Sequence, residues 1–248
     1  MELAVISIFP DMFQAFHQEG VCARAIDKRL VNIHYINPRD DAKNAYRRID
    51  DRPFGGGPGM VMLYEPLARS IDRAKKTLTK PSKVVYLSPQ GKPLTQQCVK
   101  GFAREDALIL LCGRYEGIDE RLIESHVDEE ISIGDYVLSG GELPAMVLMD
   151  SMIRLLPGAL NDADSAVEDS FYDGLLDCPH YTRPATLQDG RSVPAVLLSG
   201  DHQKVQRWRH LQKLARTLLR RKDMIECLCL SDEEKKALEK FKRIEKNK

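Results

Sequence analysis

Short apolar runs alternate along the first part of the chain with segments whose apolar residues recur every three or four positions. Runs rich in β-branched residues and ended by Gly, Pro, Asn or Asp predict buried strands, and the longer spacing predicts helices. The predicted strands are Leu3–Phe9, Val31–Ile36, Lys83–Leu87, Ala107–Cys112 and a short one ending near Ile131. The predicted helices are Met12–Gln18 with Gly20 as its stop, Leu67–Leu78, Leu94–Ala103, one ending near Ser125, and one from Glu142 to Leu156. This alternation is typical of an α/β fold, a mostly parallel sheet with helices on both faces.

The rest of the chain has a different pattern. Residues 157–180 are rich in Pro, Gly, Asn and acidic residues, which predicts a connection between domains. Beyond them, Asp201–Lys222 is predicted to be a helix, and Ser231 is a predicted N-cap of a final helix. The apolar face of the first of these helices is predicted to comprise Val205, Trp208, Leu211, Ala215 and Leu218/Leu219. We therefore predict a first domain at residues 1–160, a linker at residues 161–178 and a small, mainly helical C-terminal domain at residues 179–248.

Three loops rich in glycine or polar residues follow predicted strands: Ser88–Gly91, Gly113–Gly117 and Gly134–Gly141. Ligands of open parallel sheets bind at the carboxyl ends of the strands, and glycine lets backbone groups approach a ligand closely. The loops, the first of which is predicted to be a tight turn up to Pro93, therefore indicate a small-ligand site. A standard dinucleotide fold is disfavoured because no GxGxxG follows a strand, and no Walker loop is present because no Gly-Lys-Ser/Thr follows the glycine cluster at residues 55–59.

The helix that begins at Glu142 is apolar on almost every side. A helix of this kind is normally buried all round, here by the sheet and by a second subunit. Arg154 lies four residues after Asp150, so the two side chains share one face of the helix. Arg154 is therefore either half of an ion pair within the helix or a cation held at a buried site to meet developing negative charge.

Positive charge is clustered although the formal net charge of the 248 residues is zero. The long loop Arg39–Met60 carries Lys43, Arg47 and Arg48, and residues 204–222 contain eight basic residues and no acidic one. Four of these eight fall on one stripe of the predicted helix: Arg209, Lys213, Arg216 and Arg220. Such a stripe is either a solvated face or a surface that contacts the phosphates of a nucleic acid.

Composition excludes several classes of protein. The six cysteines are scattered, and no paired CxxC indicates a zinc site, so we expect reduced thiols. The amino terminus lacks the basic region of a signal peptide, and no apolar run approaches the roughly 20 residues of a membrane span. We therefore expect a cytoplasmic protein that does not enter a membrane.

Four motifs stand out: FGGGPGMVM at Phe54–Met62, YLSPQG at Tyr86–Gly91, GRYEGIDER at Gly113–Arg121 and SIGDYVLSGGELPA at Ser132–Ala145. Together they resemble the TrmD family of bacterial tRNA (guanine-N(1))-methyltransferases, within the SPOUT superfamily. The resemblance covers essentially the whole chain. It implies a deep trefoil knot in the sheet and a homodimer with its active site at the subunit interface. It also implies that residues 1–160 bind S-adenosylmethionine and that residues 179–248 bind tRNA.

The resemblance further implies the residues of the site. Those for S-adenosylmethionine are Tyr86, Leu87, Ser88, Gln90, Gly113, Glu116, Ile133, Gly134, Tyr136, Val137, Leu138, Gly140, Gly141 and Pro144. Those for the tRNA substrate are Gly59, Ser165, Asp177, Arg209, Lys213, Arg216 and Arg220, with Lys43, Arg47 and Arg48 as further phosphate contacts. The resemblance also implies a requirement for Mg²⁺, for which Glu116 is a candidate ligand, although one carboxylate is not a metal site.

The implied reaction transfers a methyl group to N(1) of the guanosine immediately 3′ of the anticodon, at position 37 of tRNA. Because N(1) carries a proton, a base must remove it while negative charge spreads onto the neighbouring carbonyl oxygen. The resemblance assigns Asp169 as the base and Arg154 as the cation that steadies this oxygen. From the residues alone, Asp169 is one of six acids at residues 161–178, and this clustering favours one more acid on a solvated linker.

Two other functions compete with this one. A related knotted methyltransferase would act on a ribose oxygen or on ribosomal RNA, but Asp169 and the long C-terminal domain argue against it. A non-catalytic RNA-binding protein would keep the ligand pocket and lack the base or the cation, and both are present here.

Overall fold

The computed structural model describes residues 1–161 and 167–246. The chain divides into two compact units at the boundary between residues 163 and 164. None of the helices in the described part of the chain is both long and apolar enough to cross a membrane. The predicted division into two domains and a linker stays a prediction.

A five-stranded parallel sheet organises the first unit. Its strands are β1 (Glu2–Ile6), β2 (Asn32–Ile36), β5 (Lys83–Pro93), β6 (Ala107–Cys112) and β7 (Glu129–Ser132), in the order β2-β1-β6-β5-β7. Every adjacent pair in this sheet is parallel. Two further short strands, β3 (Asp50–Asp51) in the long basic loop and β4 (Val61–Met62) just after it, form an antiparallel pair. The mostly parallel α/β sheet predicted from the sequence is thus confirmed.

Helices cover both faces of this sheet. They are α1 (Ala15–Gln18), α2 (Gly20–Asp27), α3 (Tyr64–Thr77), α4 (Gln96–Phe102), α5 (Glu120–His126) and α6 (Glu142–Ile153). Strand β6 is buried along its whole length, and its residues alternate between two hydrophobic cores. Leu108 and Leu110 pack in the core that includes α2, α4 and α6, whereas Ile109 and Leu111 pack in the core that includes α3 and α5. A strand buried on both faces explains why Ala107–Cys112 has no polar position.

The helix predicted to end before Gly20 does end at Gln18, and a second helix, α2, begins at Gly20, where φ is +77°. Two local predictions were wrong. The predicted tight turn at Ser88–Pro93 is a wide bulge within β5, since Leu87 and Lys92 both pair with Ile131 of β7. Leu219, predicted on an apolar face, is 57% exposed.

The second unit contains three described helices and its own small core. The helices are α7 (His202–Arg220), α8 (Lys222–Glu226) and α9 (Asp232–Lys246). The core residues are Leu175, Leu214, Leu218, Ile225 and Leu238. At the start of α9 the Ser231 Oγ accepts the backbone N–H of Glu234, and the Glu234 carboxylate accepts the backbone N–H of Ser231. This reciprocal pair is a capping box, which confirms Ser231 as the N-cap.

Candidate functional site

Three loops at the carboxyl ends of β5, β6 and β7 enclose one open cavity of about 860 Å³. The loop after β6 and the loop before α6 are joined directly, because the Gly141 N–H donates to the Gly113 carbonyl oxygen at 2.9 Å. Arg114 and Gly140 also form an antiparallel bridge.

The structure brings the fourteen residues predicted for S-adenosylmethionine together around this cavity. They are Tyr86, Leu87, Ser88, Gln90, Gly113, Glu116, Ile133, Gly134, Tyr136, Val137, Leu138, Gly140, Gly141 and Pro144. Six further residues also line it: Pro89, Arg114, Tyr115, Gly117, Ile131 and Ser132. The prediction did not include these six residues. They lie within the same sequence motifs or beside them, and that position could have identified them. Their role and that of the fourteen in binding stay predictions.

The bulge in β5 places the YLSPQG motif on one wall of the cavity. Residues 88–91 leave the ladder between β5 and β7, and the Ser88 Oγ accepts the backbone N–H of Gln90 at 3.2 Å. Peptide groups released from a sheet ladder need other hydrogen-bond partners, and a ligand can supply them.

Gly141 allows the loop before α6 to lie against the end of β6. A Cβ atom added there would lie 2.8 Å from the Cα of Cys112 and 3.0 Å from the backbone nitrogen of Gly113. Both neighbours are backbone atoms, so they cannot turn aside as a long side chain can. Glycine is therefore required at this position by close backbone approach.

A buried ion pair joins the loop after β6 to the start of α6. The Glu142 carboxylate is fully buried and accepts hydrogen bonds from the Arg114 Nε at 2.8 Å and from the Ser7 hydroxyl at 2.6 Å. Arg114 also donates to the Ser139 carbonyl oxygen at 3.0 Å and lies over the Phe9 ring. A buried carboxylate with these partners ties the loop after β6 to the loop before α6. Sequence reasoning missed this network because Ser7 and Glu142 are 135 positions apart.

Tyr86 forms part of the floor of the cavity. Its side chain is buried, and a Cβ at Gly113 would lie 2.8 Å from its hydroxyl oxygen. Burial, reinforced by the negative charge of Glu130, raises the pKa of Tyr86 to about 12. The phenol is therefore a neutral hydroxyl at pH 7.

The glycine-rich motif of the long basic loop adjoins the cavity. The Glu116 N–H donates to the Met60 carbonyl oxygen at 2.9 Å, and the Met62 N–H donates to the Gly117 carbonyl oxygen at 2.9 Å. Gly59, predicted as a substrate contact, lies so close to Glu116 that a side chain at Gly59 would overlap the Glu116 side chain. The first and third motifs are therefore neighbours in space.

The two predicted catalytic residues are both half-buried and belong to different units. Arg154 is the C-cap residue of α6 in the first unit. Asp169 lies in the second unit, where its carbonyl oxygen accepts the Tyr172 N–H at 3.3 Å. Ser165 lies outside the described residues.

The side chain of Asp177 is engaged within the second unit. Its carboxylate lies 2.7 Å from the His180 Nε2 and accepts the backbone N–H of Cys178 at 2.6 Å. Partial burial is the largest influence on its pKa and raises it, but these hydrogen bonds outweigh burial and leave the pKa of Asp177 below its ordinary value.

The predicted basic stripe on α7 is not uniform. The Arg209 side chain is 45% exposed and lies 3.9 Å from the Glu168 carboxylate. Lys213 is only 13% exposed, because its Nζ donates to the Glu168 carbonyl oxygen and lies 3.8 Å from the Asp173 carboxylate. Arg216 is half-buried and Arg220 is exposed. Three members of the stripe thus reach solvent, whereas Lys213 packs within the unit.

The family model described as tRNA (Guanine-1)-methyltransferase TrmD matches residues 1–227 of this chain. The chain belongs to this family. The match extends over both compact units. Members of the family are S-adenosylmethionine-dependent methyltransferases, so the chain is an enzyme of this class.

Three similar proteins from different bacteria carry the name tRNA (guanine-N(1)-)-methyltransferase. The protein of Francisella philomiragia is 58% identical over 242 residues, which cover 98% of this chain and 95% of the relative. That of Shewanella woodyi is 57% identical over 241 residues, which cover 97% of both chains. That of Pseudomonas entomophila is 57% identical over 243 residues, which cover 98% of this chain and 97% of the relative.

Proposed function

We propose that this chain transfers a methyl group from S-adenosylmethionine to N(1) of the guanosine immediately 3′ of the anticodon, at position 37 of tRNA. The observation that carries the proposal is the convergence of three family motifs on one cavity at the carboxyl ends of parallel strands. Family membership and the names of the relatives support the tRNA substrate and the guanine N(1) acceptor.

The chemistry of the cavity lining fits the methyl donor. Its lining combines apolar side chains with the hydroxyl of Ser88, the amide of Gln90 and backbone groups of glycine-rich loops. This combination suits a ligand with an apolar purine ring and several hydrogen-bonding groups. When bound, the donor supplies a methyl group already activated by a positively charged sulfur, so the protein has chiefly to align the reactants.

Two side chains of this chain supply the remaining chemistry. We assign Asp169 as the general base that accepts the proton of guanine N(1). We assign Arg154 as the cation that donates hydrogen bonds to the guanine carbonyl oxygen as negative charge develops there. A carboxylate and a guanidinium together meet both demands of the reaction.

We further propose that the active enzyme is a homodimer whose active site lies at the subunit interface. The exposed side of α6 supports this, because Leu143 is 49% exposed and Val147 is 47% exposed on a helix whose other apolar residues are buried or half-buried. Phe9 and Met12 add exposed apolar area near Arg114, which contacts both side chains. An apolar surface of this kind is typical of an interface between subunits.

The family resemblance also supports a deep trefoil knot in the first domain.

The proposed tRNA contacts are mainly electrostatic. We propose that residues 1–160 form the donor-binding domain, that residues 161–178 link the domains and that residues 179–248 form the tRNA-binding domain. Exposed Lys43, Arg47 and Arg48 lie beside Tyr46, which is 91% exposed, and suit phosphate contact. Gly59, Ser165, Asp177 and the α7 stripe complete the proposed substrate-binding residues. Phosphate contacts of this kind provide affinity rather than sequence choice.

The described residues include no group of side chains that suits Mg²⁺. Glu116, the candidate ligand, offers a single carboxylate, and the one described group of three candidate ligand residues is Asp177, Cys178 and His180. Mg²⁺ prefers oxygen ligands, so the Cys178 thiol and the His180 imidazole do not suit it. We therefore derive no step through the metal.

Labelled S-adenosylmethionine provides the test. Methyl transfer is measured to a tRNA that carries guanosine at position 37 and to the same tRNA with another base there. We expect transfer to the first alone, with the label at N(1) of guanine. Transfer that ignores the loss of this guanosine, or label on a ribose oxygen, would favour a different knotted methyltransferase. Donor binding with no transfer to any RNA would favour a non-catalytic RNA-binding protein.

A further inference from the structure

A second cavity, of about 1010 Å³, lies entirely within the second unit. It opens between the segment after Cys178, the turn that ends near Leu198 and the first half of α7. Its lining residues include Tyr181, Arg183, Trp208 and Arg209. The reaction described above uses none of these residues except Arg209, as a phosphate contact.

Two aromatic rings form a wall of this cavity. The Tyr181 and Trp208 ring centroids are 6.3 Å apart, with an angle of 53° between the ring planes. Tyr181 is 49% exposed and Trp208 is half-buried, so ring surface remains open to a ligand. Exposed aromatic faces of this kind are the usual platforms on which proteins stack unpaired bases.

The charge of the lining is positive. Arg183 and Arg209 stand among the lining residues, and no carboxylate is found among them. Arg209 keeps 45% of its side chain exposed, and its described ion-pair distance, to Glu168, is a long 3.9 Å. It also begins the basic stripe of α7, so the cavity continues into a surface suited to a phosphate backbone.

We infer that this cavity binds an unpaired base of the RNA substrate by stacking on Tyr181 and Trp208, while Arg183 and Arg209 contact the adjacent phosphates. The inference rests on the proposed function, because it takes the substrate to be tRNA. The occupant is not the methylated guanine, because that base must meet the methyl donor. The combination of aromatic faces, guanidinium groups and a lining without acids favours a nucleotide over an acid-bearing or apolar peptide.

Tryptophan fluorescence tests the inference directly, because Trp208 is the one tryptophan of the chain. The probes are a tRNA anticodon stem-loop and a fully paired RNA duplex of the same stem, each added to the full-length protein without methyl donor. We expect the stem-loop to quench the Trp208 emission and the duplex to leave it nearly unchanged. Equal quenching by both RNAs, or binding of the stem-loop with no change in emission, would overturn the inference.

Variants separate stacking from folding. We expect Tyr181→Leu to raise the Kd for the stem-loop about tenfold, as the loss of one stacking contact predicts, and Tyr181→Phe to keep it within about twofold. Because Tyr181 is exposed, both variants should retain the thermal unfolding midpoint of the parent. Trp208→Phe and Trp208→Leu form a second pair with the same expected contrast. Equal affinities within both pairs would contradict stacking.

These experiments distinguish failure of this inference from failure of the proposed function. Normal methylation of guanosine 37 without quenching by the stem-loop would remove this inference and leave the proposed function intact. Quenching by the stem-loop with no methyl transfer to guanine would leave the base site intact and remove the proposed function.

Discussion

The cavity in the first unit and the cavity in the second unit are built in different ways. The cavity of about 860 Å³ in the first unit is lined by glycine-rich loops that pack closely together and rest on the buried Arg114–Glu142 ion pair. The cavity of about 1010 Å³ in the second unit is lined by exposed side chains such as Tyr181 and Arg183. A site formed by closely packed loops depends on the fit of those loops and on the buried residues beneath them. Substitutions there should therefore change the shape of the cavity. A site built from exposed side chains should lose one contact per substitution and keep its shape.

The largest expected effect falls on the proposed base, Asp169, which belongs to the second unit, whereas the cavity proposed to bind the methyl donor (the donor cavity) belongs to the first. We expect Asp169→Asn to lower kcat by about 10²- to 10⁴-fold, the usual contribution of a general base. Donor affinity, measured by calorimetry, should stay within about twofold of the parent. Glu168→Gln, at the exposed neighbouring position, is the matched control and should keep most activity. Weakened donor binding in Asp169→Asn would instead identify Asp169 as a structural residue.

The buried ion pair should be the next most sensitive feature. We expect Glu142→Ala to lower the free energy of unfolding by about 3–5 kcal/mol, because it leaves the largely buried Arg114 without its carboxylate. Urea unfolding measures this loss, and donor affinity should fall with it. The control is Arg121→Ala, which removes a pair with Asp119 whose arginine is 71% exposed, and it should cost less than about 1 kcal/mol. Equal losses in both variants would show that burial of the first pair is unimportant.

Crowding at Gly141 should have a somewhat smaller effect on stability. We expect Gly141→Ala to lower the free energy of unfolding by about 1–3 kcal/mol, since its Cβ would lie 2.8 Å from the backbone of Cys112. Donor affinity should fall as well, because the loop before α6 must move away from β6. Gly101→Ala is the control: it lies in α4 with no atom near its added Cβ, and it should be neutral or stabilising. An unchanged donor affinity in Gly141→Ala would argue against a cavity built on close backbone approach.

The basic stripe of α7 should give the smallest effects at any one position. We expect replacement of Arg209, Arg216 and Arg220 by alanine to weaken tRNA binding and to reduce the slope of log Kd against log salt by about two. Lys213→Ala should instead lower stability, because Lys213 is 13% exposed and donates to the Glu168 carbonyl oxygen. The measurements are filter binding at several salt concentrations and urea unfolding. An unchanged salt slope in the triple variant would identify the stripe as a solvated face.

Much of the donor cavity could be predicted from the sequence because its residues come from loops that follow successive strands. In a parallel sheet such loops meet at one edge. The strand pattern alone therefore predicts that the motifs in these loops lie close together. The bulge at residues 88–91 could not be predicted, because a Pro-Gly composition favours a tight turn equally well. Gly20 follows the end of α1 as predicted, but the composition did not indicate that a second helix, α2, begins there.

The exposed side of α6 shows a different limit of prediction from sequence. Its sequence is apolar almost all round, and the prediction was burial on every side. Within a single chain, Leu148 and Met152 are buried, whereas Leu143 and Val147 are exposed. The pattern thus determined that the helix is apolar almost all round, but only the folded chain decides which of its apolar residues are buried and which stay exposed.

By itself the sequence determined the local features: the alternation of strands and helices, the N-cap at Ser231 and the motifs that line the first cavity. These are local, because each depends on residues a few positions apart. Only the tertiary structure decided the strand order β2-β1-β6-β5-β7, the contact of Ser7 with Glu142 and the pairing of Tyr181 with Trp208. The physical reason is that these features depend on contacts between distant segments, and the identity of the residues at either end does not specify which partner lies opposite.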